Sequence, residues 1–200
     1  MTNSTDRKSH IVDIEALPQN FPTHLHDALF WEELGRMVAT FGFLEETLGK
    51  AIFAFTATTE YSEEAVSQAL EKWQGQLEKA LTDALGGKIA AYEKAVKAHG
   101  GLEMENFDEL IQDLRAAKQV RDAICHGSWR PPDSGGASRA HFVDRKVRRF
   151  ETPVDVGFFQ QTRRHVAGLA ASVVSTVTSL GWQFPGSGGP GEPIWKFRRA

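Results

Sequence analysis

Apolar residues recur every three or four positions along most of this chain, which is the spacing of one face of an α-helix. The longest run predicts a first helix from about Asp27, a favourable N-cap residue, to Phe55. Its apolar face comprises Phe30, Leu34, Met37, Val38, Phe41, Leu44, Leu48, Ile52 and Phe55. The pattern therefore indicates a long amphipathic helix that buries one face.

The middle of the chain predicts further helices of the same kind. Ser62 is placed to cap a second helix that ends near Gly86 and Gly87, and a shorter helix follows from Lys88 to His99. The same residues are also compatible with one interrupted helix.

The next helix is predicted from the spacing of its capping residues. Asn106 is followed three positions later by Glu109, which is the spacing of a capping box. Helical periodicity then continues to about His126, and Gly127 stands where helices often end.

The period changes after Ser128. The segment Ser138–Glu151 mixes a few apolar residues with many charges and predicts a β-hairpin or an extended excursion. Thr152 and Pro153 then resemble an N-cap and the first helical residue of a last helix that reaches about Leu180.

These elements predict an all-α fold, an antiparallel helical bundle with a short β-hairpin or extended excursion before the last helix. Residues 1–26, interrupted by Pro18 and Pro22, are expected to form an irregular leader. Residues 27–183 are expected to form the bundle domain, and residues 184–200 a flexible tail rich in glycine and proline.

Composition agrees with one globular domain, since 41% of the 200 residues are hydrophobic and 24% are charged. The single cysteine, Cys125, excludes an internal disulfide and a cysteine-rich zinc site. No cofactor and no metal site is predicted. The N-terminal residues Met1–Asp6 begin no apolar stretch of the kind found in signal peptides, so no signal peptide is predicted and a cytoplasmic location is expected.

One uncharged segment, from Val166 to Phe184, approaches the length of a membrane span. It is rich in serine, threonine, alanine and glycine, whereas membrane spans are dominated by larger apolar residues. We therefore interpret it as a buried helix of the bundle and expect no membrane partner.

Charge is distributed unevenly along the chain. Residues 1–120 contain 11 Lys and Arg against 20 Asp and Glu, whereas residues 121–200 contain 12 against 6. The basic C-terminal part is typical of a surface that binds an anion such as nucleic acid. Two halves of one fold that complement each other in charge would give the same numbers.

The residues with the clearest chemical potential are Arg121, Asp122 and His126. Asp122 and His126 are four residues apart, so they share a helix face, and Asp122 is expected to orient the imidazole. Arg121 reaches the same place if the helix frays at His126. A guanidinium binds phosphate and an imidazole transfers protons near neutral pH, which together suit attack of a ribose 2′-OH on its neighbouring phosphate. A capped helix end with a structural Arg–Asp pair explains the same residues.

This constellation resembles the signature of the HEPN superfamily (higher eukaryotes and prokaryotes nucleotide-binding), an arginine, a polar residue and a histidine four to six positions after the arginine. Arg121, Asp122 and His126 match it, and the long first helix with Phe41-Gly42-Phe43-Leu44-Glu45 precedes it. Gly127 and Trp129 follow the histidine, as in bacterial HEPN-like proteins. The resemblance covers residues 27–181 in architecture and the short motif in sequence.

The resemblance implies a HEPN-like bundle that forms a homodimer and brings two Arg/His pairs into one cleft. Active members are metal-independent endoribonucleases, often in toxin–antitoxin or phage-defence systems, so an antitoxin or regulatory protein is an expected partner. Other members are non-catalytic modules that bind a nucleotide or a protein. Ser128 stands where some toxins of the superfamily carry a modified tyrosine, which argues against regulation by that route.

A second cluster could hold the same ligand. Arg145, Lys146, Arg148 and Arg149 lie between Phe142 and Phe150, a mixture of cations and aromatic rings that suits RNA. A solvated hairpin face is the alternative interpretation. The sequence therefore leaves two functions open, a HEPN-type endoribonuclease and a non-catalytic HEPN-like binding module.

Overall fold

The computed structural model describes residues 12–58, 66–99 and 106–187. Its elements are α1 (Ala28–Ala57), α2 (Val66–Thr82), α3 (Leu85–Ala98), α4 (Phe107–His126), β1 (Ser128–Trp129), β2 (Ala140–His141) and α5 (Val156–Thr178). The predicted fold class is confirmed: the protein is mostly helical, with a small antiparallel sheet before the last helix.

Helix α1 lies at the centre of the described fold. It contacts α2, α3, α4 and α5, and its most extensive contact is with α5. Asp27 caps it as predicted, because its carboxylate accepts a hydrogen bond of 2.8 Å from the Phe30 amide. The buried faces of α1 and α5 supply most of the core, including Met37, Phe41, Leu44, Leu48, Phe159, Val166 and Val173.

The uncharged segment before residue 184 lies mainly in α5, and one of its faces is buried in the bundle as predicted. Within the part of the chain that the structure describes, no helix has the length and apolarity of a membrane span.

The junction between α2 and α3 differs from the prediction. Gly86 and Gly87 lie in the first turn of α3 and do not end α2. Leu85 begins α3 because its side chain is buried in the core. Lys88, also buried, donates hydrogen bonds to the last carbonyls of α2, those of Ala80 and Leu81. The predicted cap Ser62 lies outside the described residues.

Helix α4 starts directly after Asn106, as predicted, but α5 does not start where it was predicted. Asn106 adopts a left-handed conformation (φ 65°) and its side chain makes no capping hydrogen bond. Helix α5 starts at Val156, later than Thr152 and Pro153 indicate, and Asp155 is its cap. The reason is a pair of backbone hydrogen bonds between Val154 and Ser138, which keeps the residues before Asp155 extended.

The predicted β-hairpin is present within Ser138–Glu151. Asp144 accepts from Val147 across the tip, and Phe150 donates to the Phe142 carbonyl. The base of this hairpin is tied to the end of α4, because β2 pairs antiparallel with β1, directly after α4. This pairing brings the hairpin beside the last turns of α4.

The ends of the bundle are attached to its core. The indole N–H of Trp31 donates to the Thr23 carbonyl at 2.8 Å, which ties the leader to α1. Phe184, at the start of the predicted tail, is only 2% exposed and belongs to the core. Residues 1–11 and the rest of the tail after residue 187 lie outside the described part.

Candidate active site at the end of α4

The last turns of α4 bring Arg121 and His126 together. The Nη1 atom of Arg121 lies 3.5 Å from Nε2 of His126. The contact does not need the fraying that the sequence suggested, because α4 stays helical through His126. The long arginine side chain covers the angular difference between the two positions. His126 is exposed, so an imidazole and a guanidinium meet at the surface.

Asp122 does not occupy its predicted place. Its carboxylate pairs with Lys118, one turn earlier on the same helix face, and with Arg121 Nη1 at 3.4 Å. No hydrogen bond joins Asp122 to His126. The expectation that Asp122 orients the imidazole is wrong, because the neighbouring cations compete for the carboxylate.

A second carboxylate, from α1, also holds Arg121. Glu45 Oε1 lies 3.3 Å from Arg121 Nη2, and both side chains are 23% exposed. The guanidinium of Arg121 is therefore held by the carboxylates of Glu45 and Asp122, and its Nη1 atom also lies beside the imidazole of His126. The sequence did not indicate this contact, because Glu45 and Arg121 lie on different helices far apart in the chain.

Gly127 allows the hairpin to approach this helix end. A Cβ atom at this position would lie 2.3 Å from the Ala123 carbonyl oxygen and 2.7 Å from Cβ of Ala140 in β2. The backbone at Gly127 is extended (φ −78°), so glycine is needed here for space and not for a left-handed conformation. Its amide donates to the Ala123 carbonyl at 2.9 Å, which ends α4 beside His126.

The hairpin and α4 enclose a cleft of about 560 Å³. Arg121, Asp122 and His126 of α4 form one part of its wall, and the first turn of α3 forms another. Three of the four predicted RNA-binding cations, Arg145, Lys146 and Arg148, line it from the hairpin; the fourth, Arg149, borders the neighbouring recesses instead. The two groups of residues that the sequence singled out separately thus lie around one space.

Asp144 organises the hairpin tip. Its carboxylate accepts from the backbone amides of Lys146 and Arg148 at 2.9 Å and pairs with the Arg148 guanidinium at 2.7 Å. The backbone hydrogen bond from Arg148 is the main reason that the pKa of Asp144 is lowered. Arg145, Lys146 and Arg149 form no ion pair within the described residues, so their charges are available to an anion.

Val147 and Cys125 complete the surroundings of the cleft. Val147, at the tip, is 80% exposed and has φ 61°, a conformation that β-branched residues rarely adopt. Cys125 is exposed, and partial burial raises the pKa of its thiol, which does not suit a nucleophile.

No family model, no curated protein and no solved structure matches this chain.

Proposed function

We propose that this chain is a metal-independent endoribonuclease of the HEPN type that uses Arg121 and His126. The observation that carries the proposal is the 3.5 Å approach of Arg121 Nη1 to His126 Nε2 at the edge of an open cleft lined by hairpin cations. A phosphate in that cleft would meet a guanidinium, an imidazole and unpaired positive charge at once.

In the proposed reaction, the ribose 2′-oxygen attacks the adjacent phosphorus. The O2′–P bond forms, the P–O5′ bond breaks, and the products carry a 2′,3′-cyclic phosphate and a 5′-hydroxyl. His126 accepts the proton of the 2′-hydroxyl, and His126 of a second copy donates a proton to the leaving 5′-oxygen. Arg121 stabilises the negative charge that accumulates on the phosphorane oxygens.

Glu45 and Asp122 are positioning residues in this scheme. They hold the guanidinium of Arg121 through contacts of 3.3 and 3.4 Å, which limits its rotamers beside His126. A guanidinium presents five N–H donors, so Arg121 can keep its carboxylates and still bind a phosphate oxygen. The loss of either carboxylate should therefore weaken activity less than the loss of Arg121.

A homodimer is part of the proposal because each protomer contributes one histidine. On α1, Val38 is 40% exposed and lies two turns before Glu45 on the same helix face, which a second copy would cover. Helix α4 contributes no large exposed apolar residue, so we place the contact on this face of α1. Light scattering at micromolar concentration should show a dimer, and a monomer would exclude the two-histidine reaction.

The test of catalysis combines substrate and protein variants. Arg121→Ala and His126→Ala should each reduce RNA cleavage, the histidine variant by about 10²–10⁴-fold. His165→Ala, which removes an exposed histidine on α5, is the matched control and should remain active. Cleavage should persist in EDTA, leave 2′,3′-cyclic ends, and fail on RNA with 2′-O-methyl groups throughout. Wild-type protein that cleaves none of several RNAs would refute the proposal.

The second candidate is a non-catalytic binding module, and the ion pairs of Arg121 favour it. A guanidinium held by Glu45 and Asp122 is also what a structural link between α1 and α4 requires. In that case Arg121→Ala should lower the melting temperature, while the wild-type protein has no ribonuclease activity to lose.

A further inference from the structure

The hairpin borders two more recesses besides the cleft. A middle recess of about 350 Å³ lies between α4 and the hairpin, and its wall includes Phe142, Arg148, Arg149 and Phe150. The wall of an outer recess of about 380 Å³ includes Arg130, Arg139, Phe142, Arg149 and Phe150. Each has a volume typical of a small-ligand site, large enough for one nucleotide.

The three spaces share their walls. Phe142 lines all three, Arg148 lines the cleft and the middle recess, and Arg149 and Phe150 line the middle and outer recesses. The three spaces therefore adjoin one another along the hairpin, from Arg121 and His126 at one end to Arg130 and Arg139 at the other, and together they are called the track.

Positive charge without a partner is concentrated along this track. Within the described residues, eight lysines and arginines make neither an ion pair nor a side-chain hydrogen bond, and five of them lie between residues 130 and 149. These five are Arg130, Arg139, Arg145, Lys146 and Arg149. Repeated unpaired cations beside half-buried aromatic rings match the repeated phosphates and bases of a single strand.

We propose that this track binds about three consecutive nucleotides of single-stranded RNA, with a base stacked on Phe142 and the strand leaving past Arg149 towards Arg139 and Arg130. This proposal rests on the proposed function, which supplies RNA as the ligand and the cleft as the place where the RNA is cleaved. A single strand suits the track because it can bend around Phe142, whereas a stiff duplex cannot follow three recesses around one hairpin.

The first experiment measures affinity against length. Fluorescence anisotropy with the wild-type protein and 2′-O-methyl oligonucleotides of one to six residues, which resist cleavage, should show affinity that rises up to about three nucleotides and then levels off. Affinity that does not change with length overturns the track. Equal affinity for polyglutamate of matched charge also overturns it, because the surface would then bind any polyanion or an acidic protein.

Variants at the far end of the track provide the second experiment. Arg130→Ala combined with Arg139→Ala should weaken binding of a trinucleotide by about tenfold or more and reduce the salt dependence, yet leave binding of a mononucleotide unchanged. The control is Lys94→Ala combined with Arg164→Ala, which removes two exposed, unpaired cations outside all three recesses. Equal effects of the two double variants overturn the track.

Phe142 tests the stacking contact. Phe142→Ala should weaken trinucleotide binding by about 5- to 100-fold, the usual effect of losing one stacked base, and Phe142→Trp should retain binding. If Phe142→Ala does not fold, Phe142→Leu tests the same contact, since it keeps apolar bulk without a ring.

The outcomes separate this inference from the proposed catalysis. Length-dependent binding without cleavage supports the track and refutes the endoribonuclease. Cleavage with no effect of the Arg130 and Arg139 changes supports the endoribonuclease and refutes the track. No binding of any oligonucleotide refutes both.

Discussion

The α1–α5 interface and the hairpin cleft differ in whether their charged side chains have partners of opposite charge. Between α1 and α5, Glu33 is 6% exposed and lies 3.2 Å from the guanidinium of Arg163, so that charge is matched within the fold. Around the hairpin, Arg145, Lys146 and Arg149 have no such partner within the described residues. Neighbouring cations without acidic partners repel one another, so they do not stabilise the fold through ion pairs and stay available to an anionic ligand. If the hairpin cations bind RNA as proposed, stability and binding depend on different residues, and variants can separate them.

The largest effect on stability is expected at Phe159. Its ring is fully buried and packs edge-on against Phe30 and Trp129, with centroids 5.1 and 5.8 Å away. Phe159→Ala should lower the free energy of unfolding by about 3–5 kcal/mol, measured by urea denaturation. Its half-buried neighbour Phe158 is the control, and an equal loss from Phe158→Ala would show that this interface is not the centre of stability.

The hairpin cations should show the reverse behaviour. Replacing Arg145, Lys146, Arg148 and Arg149 with alanine should leave the urea midpoint nearly unchanged, because all four are exposed. The slope of log affinity for RNA against log salt should become shallower by roughly 0.7 for each of these cations that binds a phosphate of a single strand. An unchanged slope would mean that these residues form only a solvated face.

Gly127 packs α4 against the base of the hairpin, so a methyl group there should disturb both stability and the cleft. Gly127→Ala is expected to cost about 1–3 kcal/mol of stability, because the new Cβ collides with Ala123 and Ala140. Cleavage should fall as well, since His126 is the preceding residue. Gly42→Ala is the control: its Cβ would meet nothing within 4 Å, so it should stabilise α1 by up to about 1 kcal/mol.

A substitution at the hairpin tip is expected to increase stability, by less than Gly127→Ala decreases it. Val147→Gly should raise the free energy of unfolding by about 1 kcal/mol, because glycine adopts the positive φ of this position without steric cost. Thermal denaturation would detect the change, and a lower melting temperature would show that the exposed valine makes a stabilising contact.

The smallest expected effect is a pH dependence from His26, which stacks on Phe30 at 4.2 Å. Burial lowers the pKa of His26 from its ordinary value, with opposing contributions from Asp27 and from a hydrogen bond to the Arg130 backbone. The unfolded chain therefore binds a proton at higher pH than the folded one, so stability should decrease as pH falls below about 6.5. The melting temperature should fall less between pH 7.5 and pH 5.5 in His26→Leu than in the wild-type protein. The same fall in both proteins would contradict this prediction.

Local rules of sequence determined much of this molecule. Helical periodicity located α1 and α4, Asp27 had the correct capping role, and the charged stretch after Ser138 predicted a hairpin or an extended excursion, of which the hairpin is present. These features follow from residues close in the chain, whose spacing alone defines a helix face or a turn. The pairing of Arg121 with His126 is of the same kind, because both belong to one helix.

Contacts between distant segments were decided only by the tertiary structure. Helix α5 begins at Val156 because Ser138 bonds to Val154, and Leu85 begins α3 because its side chain reaches the core. Asp122 turns to Lys118 and Arg121, while Glu45 reaches Arg121 from another helix. The cleft arises because β2 pairs with β1 and carries the hairpin to α4. Each donor or acceptor can bind any polar group within reach, and only the folded chain determines which groups are within reach.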